Sequence, residues 1–248
     1  MAVLLHRIRT VARIAGPART AQLDALFRTR PWITRALLEA SCPRLVAPAL
    51  AELMDAIAVE SAAHSRRLAL GVELVAEALG WLEADRQQLV HSALMHDIGK
   101  LAVPDAVLDS PEVLSPEQLD LIQMHSSLGF SILSATAVTR PAAALALHHH
   151  EYFDGSGYHG TRGLDIPASA RVFALVDAYD AMLRTDRVYR VGVGHDEARA
   201  ELESLAGIKY EAAIVEAFTR IARGRWEAIW HDNPDTPSAV TPPVVVAA

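Results

Sequence analysis

Three adjacent imidazoles, His148, His149 and His150, run into Glu151 and then into Asp154-Gly155-Ser156-Gly157-Tyr158. About fifty residues earlier stands His96-Asp97-Ile98-Gly99-Lys100. Such stretches build a core poorly, because every buried polar group must find a partner. They are well suited to holding a cation. Glu60 and His64, His125 and Asp177 extend the same chemistry along the chain.

Taken together, Glu60, His64, His96, Asp97, His125, His149, His150 and Asp177 offer only nitrogen and oxygen, and more donors than one tetrahedral zinc uses. Imidazole–carboxylate sets suit iron, manganese or zinc. Two ions roughly 3.5–4 Å apart would share Asp97, with a hydroxide between them as the nucleophile. The reaction this favours is hydrolysis of a phosphate ester. Any one of these residues alone is more simply a core histidine bonded to a carbonyl, or part of a solvated face. Eight of them in one helical region make independent bland explanations a poor account. Lys100 stands out because lysine occurs elsewhere only at Lys209, while the other basic residues are arginine. An ammonium is a compact point charge where a guanidinium is a planar fork.

The elements that must position these residues read as helices almost throughout. Residues 37–53 and 56–79 carry apolar side chains at three- and four-residue spacing, which predicts helices and sets Glu60 and His64 on one face. Ser115-Pro116-Glu117-Gln118 reads as a capped helix start and predicts a helix bearing His125. Pro141 opens a helix ending near His150, and Pro167 opens one carrying Asp177. His96 and Asp97 are adjacent, so on a helix they point about 100° apart. They reach one site only near a helix end, and Gly99 and Pro104 predict such an end just after the pair. Residues 197–205 and 211–221 are two further amphipathic helices. Residues 99–111 and 154–167 read as loops, and alternating strand patterns are absent.

The expected class is therefore all-α, a helical bundle. Residues 1–56 form an N-terminal helical segment of unknown role, broken by Pro31, Pro43 and Pro48. Residues 57–230 form the catalytic domain, and 231–248 a Pro-rich tail. Hydrophobic residues make up 51%, enough for a large core, and a net charge of −7 argues against a surface for nucleic-acid polymers. The lone Cys42 excludes an internal disulfide and thiolate-rich zinc sites. No apolar run reaches the roughly twenty residues that span a bilayer. Charges interrupt the apolar patch of residues 1–16, which reads as an amphipathic helix packed on the body rather than a secretory signal. A cytoplasmic protein is expected.

In their order and spacing, His96-Asp97-Ile98-Gly99-Lys100, Pro104, His125, His149-His150-Glu151, Asp154-Gly155-Ser156-Gly157-Tyr158, Asp177 with Asp180, and Asp186-Arg187 with Tyr189-Arg190 resemble the HD-GYP family of bacterial cyclic di-GMP phosphodiesterases. The resemblance covers about 58–221. It implies an all-helical bundle of HD-domain type that hydrolyses cyclic di-GMP to linear pGpG, with GMP as a further product in some members. It implies His64, His96, Asp97 and Asp177 as ligands of the general HD site. His125, His149 and His150 would serve a second metal and Glu60 a third, giving two or three divalent ions, iron first and manganese or zinc as alternatives. Lys100 would meet a substrate phosphate and act with Asp97 in catalysis. Tyr158, Arg187 and Arg190 would hold the nucleotide.

The resemblance also suggests a diguanylate cyclase-type or other signalling protein as partner through the Asp154–His159 loop, and a homodimer. Two departures bear on this. His159 stands where the family has proline, which would free the backbone there. The stretch from Asp180 to Asp186 is one residue longer than usual, which unsettles Arg187 and Arg190. They keep open a non-hydrolytic module that binds cyclic dinucleotides or proteins. Di-iron oxidation is a third class, against which Lys100 and the Asp154–Tyr158 loop speak.

Overall fold

The computed structural model describes residues 3–39, 42–110, 112–184 and 192–234. In chain order the helices are α1 (Val3–Ala12), α2 (Pro17–Thr29), α3 (Pro31–Glu39), α4 (Pro43–Ala56), α5 (Ala62–Ala78), α6 (Glu83–Ala93), α7 (Asp105–Leu108), α8 (Pro116–Leu133), α9 (Arg140–His148), α10 (Ala168–Leu183), α11 (His195–Ser204), α12 (Ala212–Arg220) and α13 (Arg223–Asp232). Among the described residues there is no strand, only an isolated bridge between Ala206 and Tyr210. The all-α reading holds.

Local chemistry accounts for several boundaries. Ser115 accepts from the Gln118 amide at 3.3 Å while Gln118 Oε1 accepts from the Ser115 amide at 2.8 Å. This reciprocal pair satisfies donors that a helix start otherwise leaves open. Ser61 caps α5, so the helix predicted across 56–79 begins only after residue 61. Glu60 therefore lies in the turn before α5 and not one helical turn below His64. Pro31 and Pro43 open α3 and α4 as first-turn prolines do, but Pro48 lies within α4 without breaking it. The expected loop at 99–111 is partly helical, with a 3₁₀ turn at Ile98–Ala102 followed by α7.

Two apolar clusters divide the interior. One joins α1–α4 to residues 98–114 and to α8 and α9. The other joins α5, α6 and α10–α13. From the amphipathic α1, Leu4, Ile8 and Val11 enter the first cluster. At about 1.5–3 kcal/mol for each large aliphatic side chain buried, this helix belongs to the body. Helix α8, which carries His125, belongs to the first cluster, and α5, which carries His64, to the second. The chemistry-bearing residues gather between them. No described helix is long and apolar enough to cross a membrane.

Candidate metal centre

His96 and Asp97 stand in the turn between α6 and the 3₁₀ turn. Helix α6 ends at Ala93, before the pair and not after it, which frees both side chains from helical geometry. Gly99 explains how the turn reaches its neighbour. A Cβ there would lie 1.8 Å from the His125 carbonyl oxygen and 2.6 Å from the Gly129 nitrogen. Only glycine lets this turn press on α8, and the contact delivers Asp97 to His125. Gly157 does the same for the later loop, where a Cβ would come within 2.5 Å of the His150 carbonyl oxygen.

The donors fall into two groups, each with ligand atoms within 4.8 Å of one another: Asp97, His125, His149 and His150 in one, Glu60, His64 and His96 in the other. Asp97 faces both. Its Oδ1 lies 3.1 Å from His125 Nε2 and 3.6 Å from His149 Nε2, and its Oδ2 lies 3.0 Å from His96 Nε2. Asp177 Oδ1 lies 3.6 Å from His64 Nε2, so it joins the second group from α10. All eight expected donors thus converge. Asp177, expected to be buried, is partly exposed; the buried aspartate of α10 is Asp180.

The imidazoles are oriented from behind. Nδ1 of His96 donates to the Ala93 carbonyl at 2.8 Å, that of His125 to Ile122 at 2.5 Å, and that of His149 to Ala146 at 2.9 Å. His64 Nδ1 donates to Asp180 Oδ2 at 2.8 Å. A ring so tied turns its Nε2 inward, the arrangement that metal-ligating histidines show. The consequence is a conflict that protein groups alone leave standing. His125 Nε2 and His149 Nε2 approach to 3.1 Å, with the buried, unbonded Asp97 Oδ1 beside them. Three lone pairs converging away from water call for a cation, and the residues present fit metal ions.

Charge points the same way. Burial, reinforced by its imidazole neighbours, holds His149 down to about 4, and His150 is likewise pushed well below its ordinary value. Both rings are therefore neutral donors near pH 7. Burial opposes charge on His96 and His64 too, but the surrounding carboxylates outweigh it: Asp97 leads in raising His96 to about 9, and Glu60 leads in raising His64. Asp97 stays ionised despite burial, because His96 and Lys100 hold it well below the carboxylate range. This half of the site asks for positive charge, which a proton or a metal ion can supply.

Lys100 Nζ lies 2.5 Å from Asp97 Oδ2 and donates to Glu60 Oε2 at 2.9 Å. Burial disfavours its charge, but Asp97 and Glu60 raise its pKa, so it is an ammonium. The Tyr158 ring lies 4.6 Å from that of His150, and burial pushes its phenol up to about 12, leaving it a hydrogen-bond donor. Arg187 and Arg190 lie outside the described residues.

Four residues have parts that sequence reading did not assign. Asp180 accepts from Arg67 Nε at 2.6 Å and Nη2 at 3.0 Å, and Arg67 also lies 3.9 Å over the Trp230 ring. Arg67 is thus buried as the counterion of Asp180. The signal was available: Arg67 follows His64 by three residues and Asp180 follows Asp177 by three, so each pair shares a helix face. Glu151, 2% exposed, accepts from the His159 amide at 2.6 Å. The His159 ring bonds Ser126 Oγ at 2.9 Å. Histidine therefore does not free this backbone. It supplies the N–H that proline lacks and ties the loop to α8.

The HD-domain family model matches residues 48–214, and the chain belongs to that family. It is of the HD-GYP type, given its motifs and its likeness to cyclic dinucleotide phosphodiesterases. It is 36% identical over 168 residues to a cyclic di-GMP phosphodiesterase of Thermotoga maritima, covering 66% of this chain and 45% of the relative. It is 35% identical over 170 residues to 3'3'-cGAMP-specific phosphodiesterase 2 of Vibrio cholerae, covering 67% and 32%. The chain thus spans less than half the length of these curated relatives. Among solved structures, Bd1817, an HDG"Y"P protein from Bdellovibrio bacteriovorus, shares the fold with a TM-score of 0.52 at 19% identity, covering 85% of this chain and 71% of that one.

Proposed function

We propose that this chain is a metal-dependent phosphodiesterase that hydrolyses cyclic di-GMP to linear pGpG, with GMP as a further product. The observation that carries the reading is the placement of Asp97 between two donor groups, with Lys100 beside it. In it, His64, His96, Asp97 and Asp177 hold one ion and Asp97, His125, His149 and His150 a second. Glu60 completes a third site when three are bound. Nitrogen and oxygen donors favour iron, with manganese or zinc as alternatives. Bound there, such ions supply Lewis acidity toward phosphate oxygens and a nucleophile from water at neutral pH.

The chain's own residues do the rest. Lys100 offsets charge on the phosphate as the transition state develops, from a position its two carboxylates already define. Tyr158, kept protonated, donates to a phosphate or base edge. Buried Phe173, whose ring lies 4.6 Å from that of His96, keeps water from that side of the donors. The exposed Asp154, Ser156 and His159 present a face of the same loop to a protein partner.

The test is turnover by the metal-loaded chain, with cyclic di-GMP and 3'3'-cGAMP offered separately and products separated by chromatography. Linear pGpG from cyclic di-GMP is expected. Faster cleavage of 3'3'-cGAMP would move the substrate to that of the Vibrio relative. Binding of either nucleotide without cleavage in metal-replete protein would replace hydrolysis with recognition.

A further inference from the structure

Arg19 lies on α2, in the N-terminal segment and outside the residues the HD-domain family model matches. Its side chain is 1% exposed. A guanidinium so far from water needs partners for its donors. Nη1 donates to the Ile57 carbonyl at 3.0 Å. Nη2 donates to the Val103 carbonyl at 3.3 Å and to the Asp105 carboxylate.

These acceptors belong to two separate stretches of chain, and both lead into the metal centre. Ile57 opens the turn that carries Glu60. Val103 closes the 3₁₀ turn that begins beside Asp97 and contains Lys100. Between Ile57 and Glu60, Ala58 adopts a φ of 54°, a region that side-chain-bearing residues rarely enter unless the surroundings hold them. The two stretches meet again at their side chains, where Lys100 Nζ bonds Glu60 Oε2 at 2.9 Å. One guanidinium thus clamps the backbones whose side chains join in the site.

We infer that Arg19 is a positioning residue for the half of the centre formed by Glu60, His64 and His96, and that the N-terminal segment sets the spacing between the Glu60 turn and the Asp97–Lys100 turn. This rests on the metal-centre reading above. It gives residues 1–56 a role: α2 fixes the separation of the two turns, while the Gly99 contact with α8 keeps Asp97 beside His125.

Three full-length variants test it. Arg19→Met keeps the aliphatic stem and removes every donor. Asp105→Asn weakens only the half-exposed anchor and leaves both carbonyl bonds. Ile8→Val trims one methyl from the same apolar cluster and calibrates a general loss of stability. Manganese is titrated into each, and amide hydrogen exchange is followed with and without chelator. The amides of Val59, Glu60, Lys100 and Val103, all bonded to nearby carbonyls, are the probes.

Arg19→Met should weaken manganese at the Glu60–His64–His96 group by about tenfold or more, as loss of a supporting contact does. The Asp97–His125–His149–His150 group should keep its ion. The four probe amides should exchange faster together, even in chelator, with Asp105→Asn following to a smaller extent and Ile8→Val not at all. Because the chelated arm needs no metal, a native chain that binds no manganese would refute the metal centre while exchange still judges Arg19. Unchanged probe exchange in Arg19→Met, or the same change in Ile8→Val, would overturn the inference. If Arg19→Met does not fold, native-like exchange at all four amides in Asp105→Asn overturns it.

Discussion

Asp180 touches no expected substrate or metal, yet replacing it should injure one half of the centre. Its two oxygens receive His64 Nδ1 at 2.8 Å and Arg67 at 2.6 and 3.0 Å. In Asp180→Asn, one of those oxygens becomes an amide NH₂. Whichever way the amide turns, a donor then faces a donor, either Arg67 Nε or the pair His64 Nδ1 and Arg67 Nη2. One buried donor left unsatisfied costs about 1–3 kcal/mol. The figure stays below the roughly 3–5 kcal/mol of a fully broken buried ion pair, because Arg67 keeps the Asn233 carbonyl and the Trp230 face. At about 2 kcal/mol, the thermal midpoint of a domain this size falls by roughly 4–8 °C. His64 also loses the carboxylate that orients it and raises its basicity. Losses of that kind weaken metal binding about 10–100-fold. Calorimetric manganese titration of chelator-stripped protein should show this loss at the group containing His64, with the His125–His149–His150 group little changed. A lowered midpoint with unaltered affinity at both groups would refute the orienting role and leave Asp180 a packing residue.

Asp97→Ala should remove ions from both groups, because Oδ1 faces one and Oδ2 the other; elemental analysis that finds either group's ion retained would sink the bridging assignment. Lys100→Ala should keep its metals and lose turnover by about 100-fold or more, as removal of a single electrostatic donor does. Near-normal rates in that metal-replete protein would leave catalysis to the metals alone. His159→Pro should destabilise the chain by about 1–3 kcal/mol, since it takes the N–H from buried Glu151. A denaturation midpoint equal to that of the native chain would show that Glu151 does not depend on that bond.

Much of the site was legible without coordinates. Histidines and carboxylates set in apolar helical periodicity are costly unless they converge on something, and that cost is visible in the order of residues alone. Helix starts at Ser115, Pro141 and Pro167 follow from capping and from the fixed φ of proline, which are local. So does the all-α class, because a period near 3.6 needs no partner to be read. Where local rules compete, reading failed. Glu60 was carried into α5 by apolar spacing, although the Ser61 cap excludes it. The partner of Arg67 is not visible to local rules, because Asp180 lies more than a hundred residues further along the chain.

What only the tertiary structure decided are the relations between distant backbones. No local pattern says that Gly99 must lie against the His125 carbonyl, since that constraint comes from close packing of a turn on a helix formed later in the chain. Nor does spacing reveal that Asp97 divides its two oxygens between two donor groups, or that the His159 amide meets Glu151. Residues 1–56 carried no legible motif, because a buried arginine declares its purpose only through the carbonyls it reaches. The types of the donors are a property of the sequence. Their pairing, tautomers and charge depend on which lone pairs are brought together out of water, and that is set by how the two apolar clusters pack.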